Sequence, residues 1–260
     1  MFYYCKVSEY SSRSLFCSNK GGISVPINEG NIYHHFQPIF SLKDKKRIGY
    51  EGLLRSNDFS NPELFFQQAI INNQLFQLDT LSVYKALKTF RTNESNEKLF
   101  LNIFPSTIIH HEFLEFLNKL ATEKLLLNQN ITFELSEVET VRDLAQLKER
   151  IAILRNYGIS IAFDDVGKGK AYIQDIIELD PEYIKLDRYF SQDLHRSEKK
   201  QAFIYLILEY CRRYNNRVIL EGIETVEDLQ IAQSLSVPLG QGFLLGRPQL
   251  LTNYADVSNG

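Results

Sequence analysis

The stretch SIAFDDVGKGK, Ser160 to Lys170, ends an apolar run in two adjacent carboxylates and then a glycine. Asp164 and Asp165 are the densest point of a recurring pattern. Polar residues stand within or near the ends of successive β-rich runs: Glu51, Asn102, Glu134 with Glu137, Asp164 with Asp165, Lys185, Glu221 with Glu224, and Gln241. Seven carboxylates gathered at one opening would repel one another, each like pair at 4 Å costing about 4 kcal/mol at an effective dielectric near 20. Divalent cations are the simplest way to hold such a cluster. Carboxylates and one amide oxygen, from Asn102, are hard donors, and no His or Cys falls at these positions. That donor set favours Mg²⁺ or Mn²⁺ over Zn²⁺. Of two adjacent aspartates, one can bridge two ions while its neighbour holds the second. Two ions about 3.5–4 Å apart can activate a water and stabilise an in-line phosphoryl displacement.

Each feature alone has an ordinary reading. A single Glu at a strand end is commonly a surface or cap residue. An Asp-Asp before Gly is commonly a turn. Lys185-Leu186-Asp187 could be a surface ion pair of little worth. The weight comes from repetition, because six consecutive strand candidates place polar residues in the same way.

The elements that must position these residues are readable from periodicity. Eight runs predict strands: 35–42, 47–54, 98–104, 130–137, 160–166, 182–187, 217–223 and 240–246. Between most of them apolar residues return every three or four positions, as helices require. Residues 62–90 form one such segment, with Asn61 as N-cap and Pro62 at the first helical position. Residues 136–158 form another, with Gly158 at its C-terminal cap. Residues 197–216 start at a capping Ser197, and 225–235 start at a capping-box variant, Thr225 with Asp228. Strand–helix alternation predicts a parallel sheet with crossovers, and eight strands in about 210 residues predict a closed (β/α)8 TIM-type barrel. Only Lys43–Lys46 separate the first two strands. No crossover helix fits there, so they should form an antiparallel hairpin. A doubly wound open sheet is the alternative, without a GxGxxG to favour it.

The 260 residues carry 29 Lys and Arg against 32 Asp and Glu, a net charge of −3. No basic footprint for a nucleic acid polymer is present. Cys5, Cys17 and Cys211 are too few and too scattered for a disulfide framework and suit a reducing cytoplasm. No stretch approaches the ~18 apolar residues of a membrane span. The first residues lack the charged and apolar regions of a signal peptide. Residues 1–30 read as an N-terminal arm, 31–252 as the barrel and 253–260 as a frayed tail.

In order along the chain stand FQPIF (36–40), YEGLLR (50–55), LFLNI (99–103), FELSE (133–137), FDDVG (163–167), IKLD (184–187), LEGIET (220–225) and GQGFLLGRP (240–248). Eight motifs in this order, from about residue 30 to 250, resemble the EAL-domain family of cyclic di-GMP phosphodiesterases. The family fold is a (β/α)8 barrel with one antiparallel strand. The resemblance implies hydrolysis of cyclic di-GMP to linear pGpG, two Mg²⁺ or Mn²⁺ ions, and a homodimer. It implies that Glu51, Asn102, Glu134 and Asp164 bind the first metal, that Asp164 and Asp165 hold the second, and that Glu221 serves the second metal through water. Lys185 would lie near the nucleophilic water, making Lys185, Glu221 and Asp165 the catalytic residues. Gln37, Leu53, Arg55 and Gln241 would contact substrate, while Glu137 and Glu224 position loops.

Two departures stand out. The signature Glu-Ala-Leu reads Glu51-Gly52-Leu53, which spares the ligand and removes a methyl. The usual DDFGTGYSSL reads DDVGKGKAYI from Asp164 to Ile173. Gly167 and Gly169 keep the turns, while Lys168, Lys170 and Ala171 alter a loop that in the family couples the metal site to the dimer interface. A solvated loop tip is the ordinary reading of the two lysines; attraction of an anionic ligand or partner is the sharper one. The altered loop also motivates two alternatives to an enzyme: a receptor that binds cyclic di-GMP without turnover, and a protein-interaction regulator. The pairs His34-His35 and His110-His111 are expected not to ligate metal, because adjacent strand side chains diverge and neither pair is placed at the mouth.

Overall fold

The computed structural model describes residue 27 and residues 29–91, 97–126, 130–136, 143–167 and 173–251. Most of the N-terminal arm (1–26 and 28), residues 252–260 with the tail, Glu137 and the segment Lys168–Tyr172 lie outside the described residues.

Eight strands close a barrel in sequence order. They are β1 (Ile32–Ser41), β2 (Arg47–Ser56), β3 (Lys98–Ile103), β4 (Asn130–Ser136), β5 (Ser160–Val166), β6 (Tyr183–Leu186), β7 (Arg217–Leu220) and β8 (Leu239–Gly240). The short link after Ser41 forces a hairpin, so β1 is antiparallel to both β2 and β8. The other neighbours are parallel. This is a TIM-type barrel with a reversed first strand.

Two strands end well short of the sequence prediction. β7 stops at Leu220, and Gly240 ends β8, after which the chain turns through Phe243–Leu245. Gln241 still donates its N–H to Leu220 O at 3.0 Å, so it stays anchored beside β7. The helices around the barrel are α1 (Pro62–Ile71), α2 (Leu75–Arg91), α3 (Pro105–Ile109), α4 (Phe113–Thr122), α5 (Leu144–Asn156), α6 (Ile173–Leu179), α7 (Arg188–Ser191), α8 (Glu198–Tyr214) and α9 (Val226–Ser234). The apolar segment 62–90 is thus two helices. Asn72 ends the first, and Asn73 takes the left-handed conformation, φ 55°, that asparagine tolerates better than most residues. The caps follow the sequence closely: Asn61 accepts from Glu63 N, Ser197 from Lys200 N and Thr225 from Asp228 N. The Asp228 carboxylate does not reach back to the Thr225 backbone as a capping box would. It accepts from the Thr225 hydroxyl and from the backbone and ring nitrogens of His195.

Burial follows the period of two. Ile39, Phe100, Ala162, Tyr183, Ile219 and Leu239 meet as an apolar floor inside the barrel. The opposite faces of the strands pack on the helices in the main core, where Phe36 stacks on Phe90.

Candidate metal centre at the barrel mouth

The site is that floor advanced by one strand period. Side chains two apart share a face, so the residues after the floor are Asn102 above Phe100, Asp164 above Ala162, Lys185 above Tyr183, Glu221 above Ile219 and Gln241 above Leu239. Glu134 stands likewise above Thr132. On the reversed β1 the step runs backwards, from Ile39 to Gln37, and Gln37 pairs with Glu51 of β2. All eight strands or their immediate ends therefore contribute one polar side chain to a single layer.

Asp165 breaks the alternation. As the next residue in a regular strand it would face the helices. The β5–β6 register shifts between Phe163 and Val166, and Asp165 adopts φ 54°. A bulge of this kind re-aims a side chain, and a non-glycine residue held at positive φ is strained. The outcome is two overlapping carboxylate groups, Glu51–Glu134–Asp164 and Asp164–Asp165–Glu221, each with ligand atoms within 4.8 Å of one another. Asp164 belongs to both. Gly167, at φ 102°, completes the turn against Phe190, whose ring a Cβ would meet at 2.3 Å.

Lys185 stands at the centre and is 0% exposed. Its Nζ lies 2.8 Å from Glu134 and from Glu221, 2.9 Å from Asp164 and 3.4 Å from Glu51. Burial opposes its charge, but Asp164, Glu134, Glu221 and Glu51 outweigh burial and hold its pKa well above the ordinary value. Burial pushes the Glu134 and Glu221 carboxyls well above theirs; Lys185 opposes this, and the neighbouring carboxylates add to it. One ammonium does not satisfy the cluster. Lys185 reaches Glu134 through Oε1 and Asp164 through Oδ1, while Glu134 Oε2 and Asn102 Oδ1 are buried without a hydrogen-bond partner. Hard, buried, under-satisfied oxygens on two triads suit divalent cations.

Neutral amides orient the remaining ligand. Glu51 accepts from Asn102 Nδ2 at 3.2 Å and from Gln241 Nε2 at 2.7 Å. Gln241 also donates to Gln37 Oε1 at 3.1 Å, and Gln37 donates to Gly246 O at 3.1 Å. Above this layer Leu53 and Arg55 continue the same face of β2, and Arg55 Nη1 is bonded to Leu54 O.

Of the residues singled out from the sequence, Glu51, Asn102, Glu134, Asp164, Asp165, Lys185, Glu221, Gln241 and Gln37 come together. Glu224 does not: it is exposed and pairs with Arg188 at 3.7 Å. Five carboxylates, not seven, therefore converge among the described residues. Lys185 is not part of a surface ion pair, and Asp187 caps α7 by accepting from Tyr189 N. The expectation that neither histidine pair sits at the mouth fails for His35, because β1 is reversed and His35 pairs with Leu53. Stepping by two from Gln37 towards the N-terminus would have found it. His34 faces away, buried against Ser82 at 3.0 Å, with burial, Lys85 and Arg55 lowering its pKa to about 3.

The family model described as EAL domain matches residues 23–248. The cyclic di-GMP phosphodiesterase PdeB of Shewanella oneidensis is 26% identical over 90% of this chain and 28% of its own length. The blue light- and temperature-regulated antirepressor BluF of Escherichia coli is 24% identical over 85% of this chain and 55% of its own. The chain thus spans between about a quarter and a half of these relatives. BlrP1 of Klebsiella pneumoniae, solved as a calcium/cy-diGMP complex, superposes with a TM-score of 0.76 at 26% identity, covering 85% of this chain and 57% of that one. A manganese/cy-diGMP complex of BlrP1 also matches, with a TM-score of 0.76. With the family model spanning the whole barrel, mouth and floor alike, this chain belongs to the EAL domain family.

Proposed function

We propose that this chain is a metal-dependent phosphodiesterase that cleaves one phosphodiester of cyclic di-GMP to give linear pGpG. The observation that carries the reading is the pair of buried carboxylate triads sharing Asp164. Glu51, Asn102, Glu134 and Asp164 would hold one Mg²⁺ or Mn²⁺ ion, and Asp164 and Asp165 the other, with Glu221 serving it through water. When bound, such ions supply Lewis acidity and a water of lowered pKa.

The chain's own groups do the rest. Gln241 and Asn102 fix both oxygens of Glu51, so a ligand is oriented before any ion arrives. The left-handed backbone at Asp165 turns its carboxylate to the same centre as that of Asp164. Lys185 offsets the negative charge and presents a buried cation where charge develops on a phosphoryl oxygen. Arg55, with its planar fork of donors, suits a phosphate at the rim, beside Leu53 and Gln37. Glu224 would steady the following segment through Arg188. Glu137 is proposed, from the family resemblance alone, to steady the loop after β5. A homodimer and a cytoplasmic location belong to the same reading; sedimentation of the purified chain tests the first.

The test is hydrolysis of cyclic di-GMP with Mg²⁺, Mn²⁺ or EDTA, followed by chromatography for pGpG. Metal-dependent pGpG that disappears in Glu51→Ala supports the enzyme. Binding without product would make the site a receptor, as the altered loop after Gly167 suggests. Neither binding nor product would leave an interaction protein.

A further inference from the structure

The polar layer does not end the inner face of β1. Two and four residues back from Gln37 stand His35 and Tyr33, which pair across the hairpin with Leu53 and Arg55. Their rings meet edge to face, with centroids 5.6 Å apart and planes at 62°. His35 is half-buried, and Tyr33, despite its ring, is 37% exposed. An edge-on pair of this kind leaves a ring face open to a third partner.

The floor limits where a cyclic dinucleotide can put its bases. Ile39, Phe100, Ala162, Tyr183, Ile219 and Leu239 fill the barrel below the carboxylates. A phosphodiester held at the carboxylates must therefore direct its bases upward, over the rim. The β1 rim lies in that direction: at about 3.3 Å per residue, His35 and Tyr33 stand roughly 7 and 13 Å along the strand from Gln37. Arg55, opposite Tyr33, offers the guanidinium for a phosphate. The burial of His35 and the nearby Arg55 hold the imidazole below its ordinary pKa, which favours the uncharged ring.

Resting on the phosphodiesterase reading, we propose that Tyr33 and His35 form a shelf on which one purine base of the substrate stacks. Stacking uses the π-face that every base has, so the shelf contributes affinity without choosing the base.

Binding of cyclic di-GMP to the full chain in EDTA, followed by calorimetry, separates this from turnover. Tyr33→Ala and His35→Ala are each expected to raise Kd about tenfold, while Tyr33→Phe stays near wild type. In Mn²⁺ the same losses should appear in KM rather than kcat. Calorimetric titration with Mn²⁺ alone shows whether each variant keeps an intact centre. Wild type that binds while both alanine variants bind equally well overturns the shelf and spares the enzyme reading. Loss in Tyr33→Phe equal to that in Tyr33→Ala overturns stacking in favour of the hydroxyl. Wild type that neither binds nor cleaves cyclic di-GMP overturns both proposals.

Discussion

At the residue scale the centre is a contest between like charges and one ammonium, and pH sets its outcome. The Glu134 pKa is raised because burial disfavours its charge. Above the ordinary 4.5, the folded protein then holds a proton that the unfolded chain has released. Stability falls with rising pH wherever the folded state binds more protons. Glu134→Gln removes this dependence. In EDTA, the stability of Glu134→Gln relative to wild type should increase from pH 4.5 to 7.5, measured by urea unfolding at several pH values. A constant difference would mean that Glu134 is ionised without penalty. In Mn²⁺ the same variant should lose at least about a hundredfold in activity, since even supporting residues of metal sites cost 10–100-fold. Gly52 poses a gentler question. A Cβ there would meet Leu101 Cδ2 at 2.7 Å, the far end of a side chain that can rotate, beside a cavity of about 10 Å³ lined by Gly52, Leu54, Ser82, Val83, Leu101 and Asn102. Gly52→Ala, which restores the family tripeptide, should stabilise the protein by about 0.5 kcal/mol through the unfolded chain. A loss of more than 1 kcal/mol in urea unfolding would show that Leu101 cannot yield.

Elements decide which of these residues meet, and here the sequence was unevenly legible. The polar residues could be found because each follows its strand's apolar period by one step. The hairpin could be found because four residues cannot hold a crossover. Asp165 could be placed near the mouth but not aimed, since its direction depends on a register shift and a left-handed backbone that no residue type announces. His35 was missed because the reversal of β1 was not carried through to its side chains, and Tyr33 because the predicted strand begins at residue 35 whereas β1 begins at Ile32. The break at Asn72-Asn73 had a signal in the two asparagines, but the apolar period runs through it unbroken. Asp79 was invisible altogether. It lies on α2, 0% exposed, and its Oδ2 accepts from Phe104 N at 2.8 Å. Phe104 is the N-cap of α3, has no side-chain cap of its own, and follows Asn102 by two residues. Asp79 thus ties an outer helix to the loop leaving the carboxylate cluster. Hydrogen bonds to charged groups contribute about 1.5–3 kcal/mol. Asp79→Ala should cost about that in urea unfolding and lower Mn²⁺ affinity, whereas a surface replacement such as Glu63→Ala should do neither. Unchanged stability in Asp79→Ala would dissociate the clamp from the fold.

For the whole molecule, closing the barrel is what forces the carboxylates together, so a cation bound among them would be linked to folding of the barrel. The two triads draw ligands from β2, β4, β5 and the residue after β7. Unfolding separates them by tens to over a hundred residues of chain, and no single strand retains a site. A cation that binds only the folded state stabilises it by RT ln(1 + [L]/Kd), about 2.7 kcal/mol at a hundredfold excess over Kd. For a chain of this size each kcal/mol shifts Tm by about 2–4 °C. Mn²⁺ at that excess should therefore raise Tm by about 5–10 °C over EDTA at constant ionic strength, and Mg²⁺ should act in the same direction. Glu51→Ala should lose most of the shift, because the remaining ligands no longer complete the first triad. Na⁺ at equal ionic strength should reproduce little of it, since buried charges are poorly screened by bulk salt. An equal response to Na⁺ and Mn²⁺ would mean that the mouth senses general ionic strength rather than binding ions at the carboxylates, and the two-metal reading would fall with it. A full Mn²⁺ shift in Glu51→Ala would instead move the stabilising ion to the group of Asp164, Asp165 and Glu221.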